Sequence, residues 1–340
     1  MHISDIDYDL PDELIAQKPI EPRDSARLLV QQGEHLHHRV VADLLDYVGP
    51  GDVIVVNDTR VLPARLALQR KTGGAAEVLL LEKRSPDARL WEALIRPARK
   101  LKEGEVLEYF GKRVVRVGPR TEAGDTFVIE ITDDDPLGLI QRIGSMPLPP
   151  YIRGSLKDSE RYQTVYAQNP ASAAAPTAGL HFTPELIERI ENTGAVIKRV
   201  ELVVGLDTFK PISVDNPLDH VIHSEFYNVS QDTLTACLSA KRVIAVGTTA
   251  TRALESAMTS GELSGRTKLF ITPGYEWKIV DVLLTNFHMP RTSLLLMISS
   301  FTNGAWRRIY SEAISEKYRF LSFGDAMLLH REKGDVNVQS

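Results

Sequence analysis

The run of apolar and polar positions divides the chain into two kinds of segment. Between residues 63 and 150 short apolar or alternating runs recur: AEVLLLEK at 76–83, RLWEALIR at 89–96, EVLEYF at 105–110, RVVRV at 113–117 and TFVIEIT at 126–132. Turn-forming clusters separate them, among them TGG at 72–74, SPDA at 85–88, GK at 111–112 and EAGD at 122–125. Strands spaced this closely predict a small antiparallel barrel or sandwich. The segment closes on MPLPPY at 146–151, a proline-rich string that reads as a stiff linker.

Elsewhere strand and helix patterns alternate. DVIVVN at 52–57 reads as a buried strand, and TPELIERIENTG at 183–194 as a helix with a capping Thr, Pro in its first turn and Gly at its end. AVIKRVEL follows as a strand, then RVIAVG at 242–247 as strand and TATRALESAM at 249–258 as helix. VDVLLTN at 280–286 is another buried strand, with SLLLMISSF and the helix WRRIYSEAISEKY after it. Such alternation predicts an α/β sheet layered by helices. It occurs on both sides of the barrel pattern. The expected architecture is therefore an α/β main domain from residues 1–62 and 151–340, with an inserted antiparallel β-barrel domain at 63–150.

Composition changes this picture in one respect. The 340 residues, 43% apolar and 25% charged, carry a net charge of −5, which announces no globally basic nucleic-acid binder. Residues 63–120, however, hold 14 Lys or Arg against 7 Asp or Glu. That is either a solvated barrel face or a surface for a phosphate backbone. Its densest run, Arg96, Arg99, Lys100 and Lys102, follows the strand RLWEALIR. The single Cys237 cannot form an intramolecular disulfide, and the acidic opening MHISDIDYDLPDEL is unlike a signal peptide. A soluble, cytoplasmic protein is expected.

Three polar loops follow buried strands and carry the candidate chemistry. GTTATR, with Gly247, Thr248, Thr249 and Arg252, opens a helix whose amides and dipole favour an anionic group; Glu255 lies a turn beyond Arg252. TNFHMP at 285–290 places Asn286 and His288 at a strand's carboxyl edge, where α/β sheets form ligand crevices. NDTRVLPAR supplies Asn57, Asp58, Arg60 and Arg65. A further loop, PTAGLHFT at 176–183, puts Gly179 and His181 before a capped helix, and a loop His is suited to proton transfer near neutrality. The clusters His220, His223, Glu225 and His35, His37, His38 match no helical zinc motif, and no metal is expected. Neither a G-x-S-x-G elbow nor a three-glycine nucleotide loop is present, and Cys237 reads as a small buried filler.

Taken together, these strings resemble the S-adenosylmethionine:tRNA ribosyltransferase-isomerase family of queuosine biosynthesis. The resemblance runs through YDLPDELIAQKPIEPRDSARLLV at 8–30, NDTRVLPARL at 57–66, MPLPPYI at 146–152, RYQTVYA at 161–167 and APTAGLHFT at 175–183. It continues through HVIHSE at 220–225, VGTTATRALES at 246–256, TNFHMP and YRFLSFGDAM at 318–327. It implies transfer and isomerisation of the ribosyl part of S-adenosylmethionine onto 7-aminomethyl-7-deazaguanine at the wobble position of tRNA. Epoxyqueuosine is formed, and adenine and methionine are released. S-adenosylmethionine is consumed as a substrate and no cofactor is implied.

The alternatives are a non-catalytic tRNA-binding protein and a divergent S-adenosylmethionine-dependent tRNA-modifying enzyme. The sequence departs from the family at Glu201, Val203 and Asp207 (ELVVGLD where Thr-Leu-His-Val-Gly-x-Gly is usual), at the inverted pair Thr292-Ser293, and at Ile222, where Met is usual. Under the resemblance, His181, His288 and Asp325 are expected to transfer protons, in that order. Thr248, Thr249 and Arg252, with Glu255 positioning the arginine, are expected to bind the methionine carboxylate and adenosyl part. Thr177, Gly179, Gly247 and Asn286 complete the pocket, while Asn57, Asp58, Arg60 and Arg65 line a cleft between domains. Arg96, Arg99, Lys100 and Lys102 are expected to hold the tRNA, with Arg153, Lys157 and Arg161 next in line. A monomer is expected.

Overall fold

The computed structural model describes all residues except 122–123, 155, 157, 173, 206–210 and 332–340. Ahead of the barrel region come strands β1 (Arg27–Gln32), β2 (His35–Val40), β3 (Asp52–Asn57) and β4 (Thr59–Val61). The barrel region holds β5 (Arg65–Arg70), β6 (Ala75–Lys83), β7 (Leu90–Arg96), β8 (Val106–Tyr109), β9 (Lys112–Arg120), β10 (Phe127–Ile131), helix α1 (Pro136–Ile143) and β11 (Gly144–Ser145). After it come β12 (Asn169–Ser172), α2 (Pro184–Asn192), β13 (Val196–Leu202), β14 (Glu225–Val229), α3 (Gln231–Leu238), β15 (Arg242–Val246) and α4 (Gly247–Ser260). The chain continues with β16 (Ser264–Thr267), β17 (Val282–Asn286), α5 (Ser293–Phe301), α6 (Trp306–Ser315) and β18 (Ala326–His330).

A nine-stranded mixed sheet runs in the order β16-β14-β13-β3-β15-β17-β18-β1-β2. Its centre is parallel, β13 beside β3 beside β15 beside β17. Strands β3, β15 and β17 are nearly continuous apolar runs because both faces are covered, whereas β13 carries Lys198, Arg199 and Glu201. Alternation sorts them. Val53, Val55, Ala245 and Leu283 face α4, α5 and α6, while Ile54, Val56, Ile244 and Leu284 face α2 and the turn at 41–47. All four parallel strands end at one edge. The antiparallel partners β14 and β18 bring their first residues, Glu225 and Ala326, to that edge as well.

In the second sheet, β5-β6-β7-β10-β9-β8 run antiparallel and β8 returns to pair with β5, which closes a six-stranded barrel; β11 adds to β5. Leu66, Leu68, Val78, Leu80, Trp91, Ala93, Ile95, Val115, Val117 and Ile129 fill its interior at period two. The Trp91 indole donates to the Ala88 carbonyl at 2.7 Å, which satisfies its one polar atom.

The fold differs from the sequence reading in its details. Strand β5 (RLALQR) closes the barrel although no turn cluster sets it off from the preceding loop. The helix expected at 249–258 begins at Gly247, so Gly247 and Thr248 are its first residues rather than a loop. The linker is more than a spacer: Met146, Leu148 and Tyr151 pack against the main sheet's side of the molecule beside Tyr162 and Phe323.

Candidate active site

A cleft opens at the carboxyl edge of β15 and β17, where open α/β sheets form ligand crevices. Gly247 leaves β15 with φ +88°, a left-handed conformation that a side chain would strain. This turn points the first amides of α4 at the cleft, so a helix N-terminus with its partial positive charge forms one wall. Thr248 and Thr249 line that wall, and the buried Thr249 hydroxyl has no hydrogen-bond partner.

Asn286 and His288 form the opposite wall at the end of β17, and Thr177 lies beside them. The His288 ring is hydrogen-bonded through Nε2 to Thr285 Oγ1 at 3.0 Å, and its backbone is held by the Tyr8 and Tyr310 hydroxyls. Burial lowers its pKa to about 3, so the ring is neutral near pH 7.

His181 stands behind this wall, outside the lining of the cleft. Asn286 Nδ2 lies 3.2 Å from His181 Nε2, 3.2 Å from the Leu321 carbonyl and 3.4 Å from the Asp325 carbonyl. Two carbonyl neighbours fix that end of the amide as the NH₂, so His181 Nε2 accepts and its proton sits on Nδ1. Burial, with Arg319 nearby, lowers the His181 pKa to about 4. Thr177 Oγ1 donates to Asn286 Oδ1 at 3.3 Å and completes the chain of contacts.

Several expected site residues have other partners. Glu255 does not position Arg252. Its carboxylate is fully buried and accepts from the amides of Lys278, Ile279 and Val280 and from the Tyr275 hydroxyl, at 2.9–3.1 Å, tying the 275–280 loop to α4. Arg252 pairs instead with Glu225, because β14 delivers that carboxylate to the same sheet edge.

Asp325 lies outside the cleft and accepts from the Arg27 and Arg319 amides, while burial raises its pKa. Gly179 also lies outside. A Cβ there would sit 1.9 Å from the Tyr166 hydroxyl, so its role is close packing. Asn57 bonds to Leu202 and Thr59 backbone atoms, Asp58 to Asn169, Arg60 to Glu160 and Arg65 to Glu77. Arg65 lines a cavity between barrel and main sheet, and Arg96 shares it.

Arg96, Arg99, Lys100 and Lys102 are all exposed at the end of β7 and the turn after it. Lys157 and Asp207 lie outside the described residues. Among the described residues no group of His, Cys, Asp and Glu side chains is placed to hold a metal ion. Cys237 is buried, and burial raises its pKa to about 12.

Sequence reasoning missed Tyr151 and Ser322, which meet at 2.7 Å on the cleft rim, and Thr292, which lines the cleft and caps α5. The inverted Thr292-Ser293 pair keeps a hydroxyl at this cap, a position that Ser and Thr both fill well. Tyr151 and Ser322 belong to MPLPPYI and YRFLSFGDAM, and Thr292 follows TNFHMP, but nothing in the local pattern aims them at β17.

A buried, neutral His288 facing a helix N-terminus, at the ligand edge of a helix-layered sheet, fits an α/β enzyme. The family model described as "Queuosine biosynthesis protein" matches residues 3–329. The chain is 47% identical to the S-adenosylmethionine:tRNA ribosyltransferase-isomerase of Symbiobacterium thermophilum, over 97% of this chain and 100% of that protein. It is 48% identical to the protein of the same name from Rubrobacter xylanophilus, over 97% of this chain and 98% of that one. The crystal structure of S-adenosylmethionine tRNA ribosyltransferase from Thermotoga maritima matches with a TM-score of 0.54 and 34% identity, over 96% of this chain and 99% of that one. The chain belongs to the queuosine biosynthesis protein family.

Proposed function

We propose that this chain transfers and isomerises the ribosyl part of S-adenosylmethionine onto 7-aminomethyl-7-deazaguanine at the wobble position of tRNA. Epoxyqueuosine is the product, with adenine and methionine released. The observation that carries this reading is the neutral His288 in the cleft beside the start of α4. S-adenosylmethionine brings a sulfonium cation, and a protonated imidazole there would repel it, whereas a neutral one accepts a hydrogen bond or a proton. The aminomethyl group arrives largely protonated and must lose a proton to become a nucleophile. His288 is the group in reach, and the desolvation that keeps its ring neutral also disfavours the ammonium, so the amine is released from its proton in the same pocket. Asn286, held by His181, orients the substrate.

The amides of α4 suit electronegative atoms of the adenosyl part. The barrel contributes the tRNA surface, and the division at residues 63 and 150 is supported by its separate core. We place the protein in the cytoplasm as a monomer. No helix among the described residues is long and apolar enough to cross a membrane.

The test is incubation with S-adenosylmethionine and tRNA carrying the aminomethyl base. Free adenine and methionine are expected. S-adenosylhomocysteine would mean a methyltransferase instead, and neither product would mean a binding protein.

A further inference from the structure

A second, smaller cavity adjoins the cleft; Leu294 lines both. Its walls are apolar (Ile222, Leu269, Phe270, Ile271, Leu294 and Met297), and its polar groups include the buried pair Arg252 and Glu225. A guanidinium has five N–H donors. Here Nη1 serves Glu225 Oε2, while Nε and Nη2 are buried without a hydrogen-bond partner. Those two atoms form the side-on edge that takes a carboxylate bidentately. Glu225 Oε1 accepts the Gly205 amide at 2.8 Å, which leaves the carboxylate further acceptor positions.

We propose that this cavity is the amino-acid subsite of S-adenosylmethionine. The open edge of Arg252 takes the α-carboxylate, Glu225 takes the α-ammonium, and the apolar walls take the methylene chain leading to sulfur. This rests on the function proposed above. The charges match one class of ligand. An amino-acid zwitterion meets one cation and one anion, whereas an isolated phosphate would be repelled by Glu225. The path is continuous too. Arg252 lies one turn along α4 from Thr248, so a ligand reaching past Leu294 places its adenosyl part in the cleft and its amino acid here. Ile222, where the family usually carries Met, lies on the apolar wall and keeps it apolar.

The experiment compares binding of S-adenosylmethionine and decarboxylated S-adenosylmethionine by calorimetry, in wild type and Arg252→Gln, with adenine release measured in parallel. Wild type is expected to bind the decarboxylated compound about 10- to 100-fold more weakly. Arg252→Gln should lose a similar factor for S-adenosylmethionine and little for the analogue. Equal wild-type affinity for the two compounds overturns the subsite, and that comparison needs no variant to fold. Equal weakening of both ligands by Arg252→Gln overturns it as well. Absence of adenine release by the wild type would overturn the proposed reaction instead, while the calorimetric comparison still decides the subsite.

Discussion

The side-chain amide of Asn286 donates to Nε2 of His181 at 3.2 Å, so the ring nitrogen nearest the cleft is already spent. His288 lines the cleft directly, with its own Nε2 held by Thr285 Oγ1 at 3.0 Å. From this placement we propose His288, ahead of His181, as the group that transfers protons. His288→Ala is expected to slow adenine release by about 10²–10⁴-fold with S-adenosylmethionine binding largely kept. His181→Ala is expected to cost less and to act through Asn286, raising KM as well as lowering kcat. Full turnover in a folded His288→Ala protein would remove its proton-transfer role.

The same contacts make Asn286 a sharp probe of the site's rigidity. In Asn286→Asp the NH₂ becomes a carboxylate oxygen, which faces two carbonyls and a ring nitrogen with no proton to offer. Each buried polar group left unpaired costs about 1–3 kcal/mol. Urea denaturation should therefore show clear destabilisation for Asp, whereas a polar but flexible site would tolerate this nearly isosteric change.

Stability should depend on pH through the buried histidines. Burial lowers the pKa to about 4 in His181 and about 3 in His288, against roughly 6.5 in an unfolded chain. The unfolded chain therefore binds more protons in this window, and stability is present above roughly pH 6.5 and lost as pH falls. The slope is up to about 1.4 kcal/mol per pH unit for each ring. Asp58 and Asp325, whose pKa values burial raises, act in the opposite sense once the pH enters their titration range. A melting-temperature series from pH 7.5 to 5 should fall, and His288→Gln should flatten it. A wild-type series with no slope would show that neither ring is buried and neutral.

Much of the architecture is legible in sequence because burial on both faces writes itself as unbroken apolar runs; DVIVVN, RVIAV and VLLTN become the parallel centre of the sheet. The barrel's alternation is equally direct. What escapes is partnership across the chain. Glu255 is one turn from Arg252 in sequence, yet the turn's direction and the 275–280 loop claim its carboxylate, and Glu225 arrives from a strand 27 residues earlier. Gly179 sits in the right string, but only packing reveals that it yields to Tyr166 rather than to a ligand. Glu255→Ala should accordingly destabilise the fold, by about 3 kcal/mol or more, because several buried donors lose their acceptor together. A stable Glu255→Ala protein with an altered KM for S-adenosylmethionine would restore the ligand role.

The last prediction concerns how the tRNA is held. Although the chain is acidic overall, Arg96, Arg99, Lys100 and Lys102 project from the barrel at the end of β7 and the following turn. Their side chains are exposed, so their reversal should leave the barrel core intact. Arg96 and Arg65, the latter paired with Glu77, also border the cavity between barrel and main sheet. An anticodon base is reached only when splayed from its loop, so the protein must grip the backbone and accept the base separately. Each neutralised phosphate releases counterions, and tRNA affinity should therefore fall steeply with salt while S-adenosylmethionine affinity falls far less. Reversing Arg99, Lys100 and Lys102 to Glu is expected to weaken tRNA binding and flatten its salt slope with S-adenosylmethionine binding unchanged. Titrations at several salt concentrations measure both. Wild-type tRNA affinity and slope in the triple variant would instead move the RNA surface to the main domain. Arg153 and Arg161 would be the next residues to reverse, although ion pairs with Asp12 and Glu21 already occupy them.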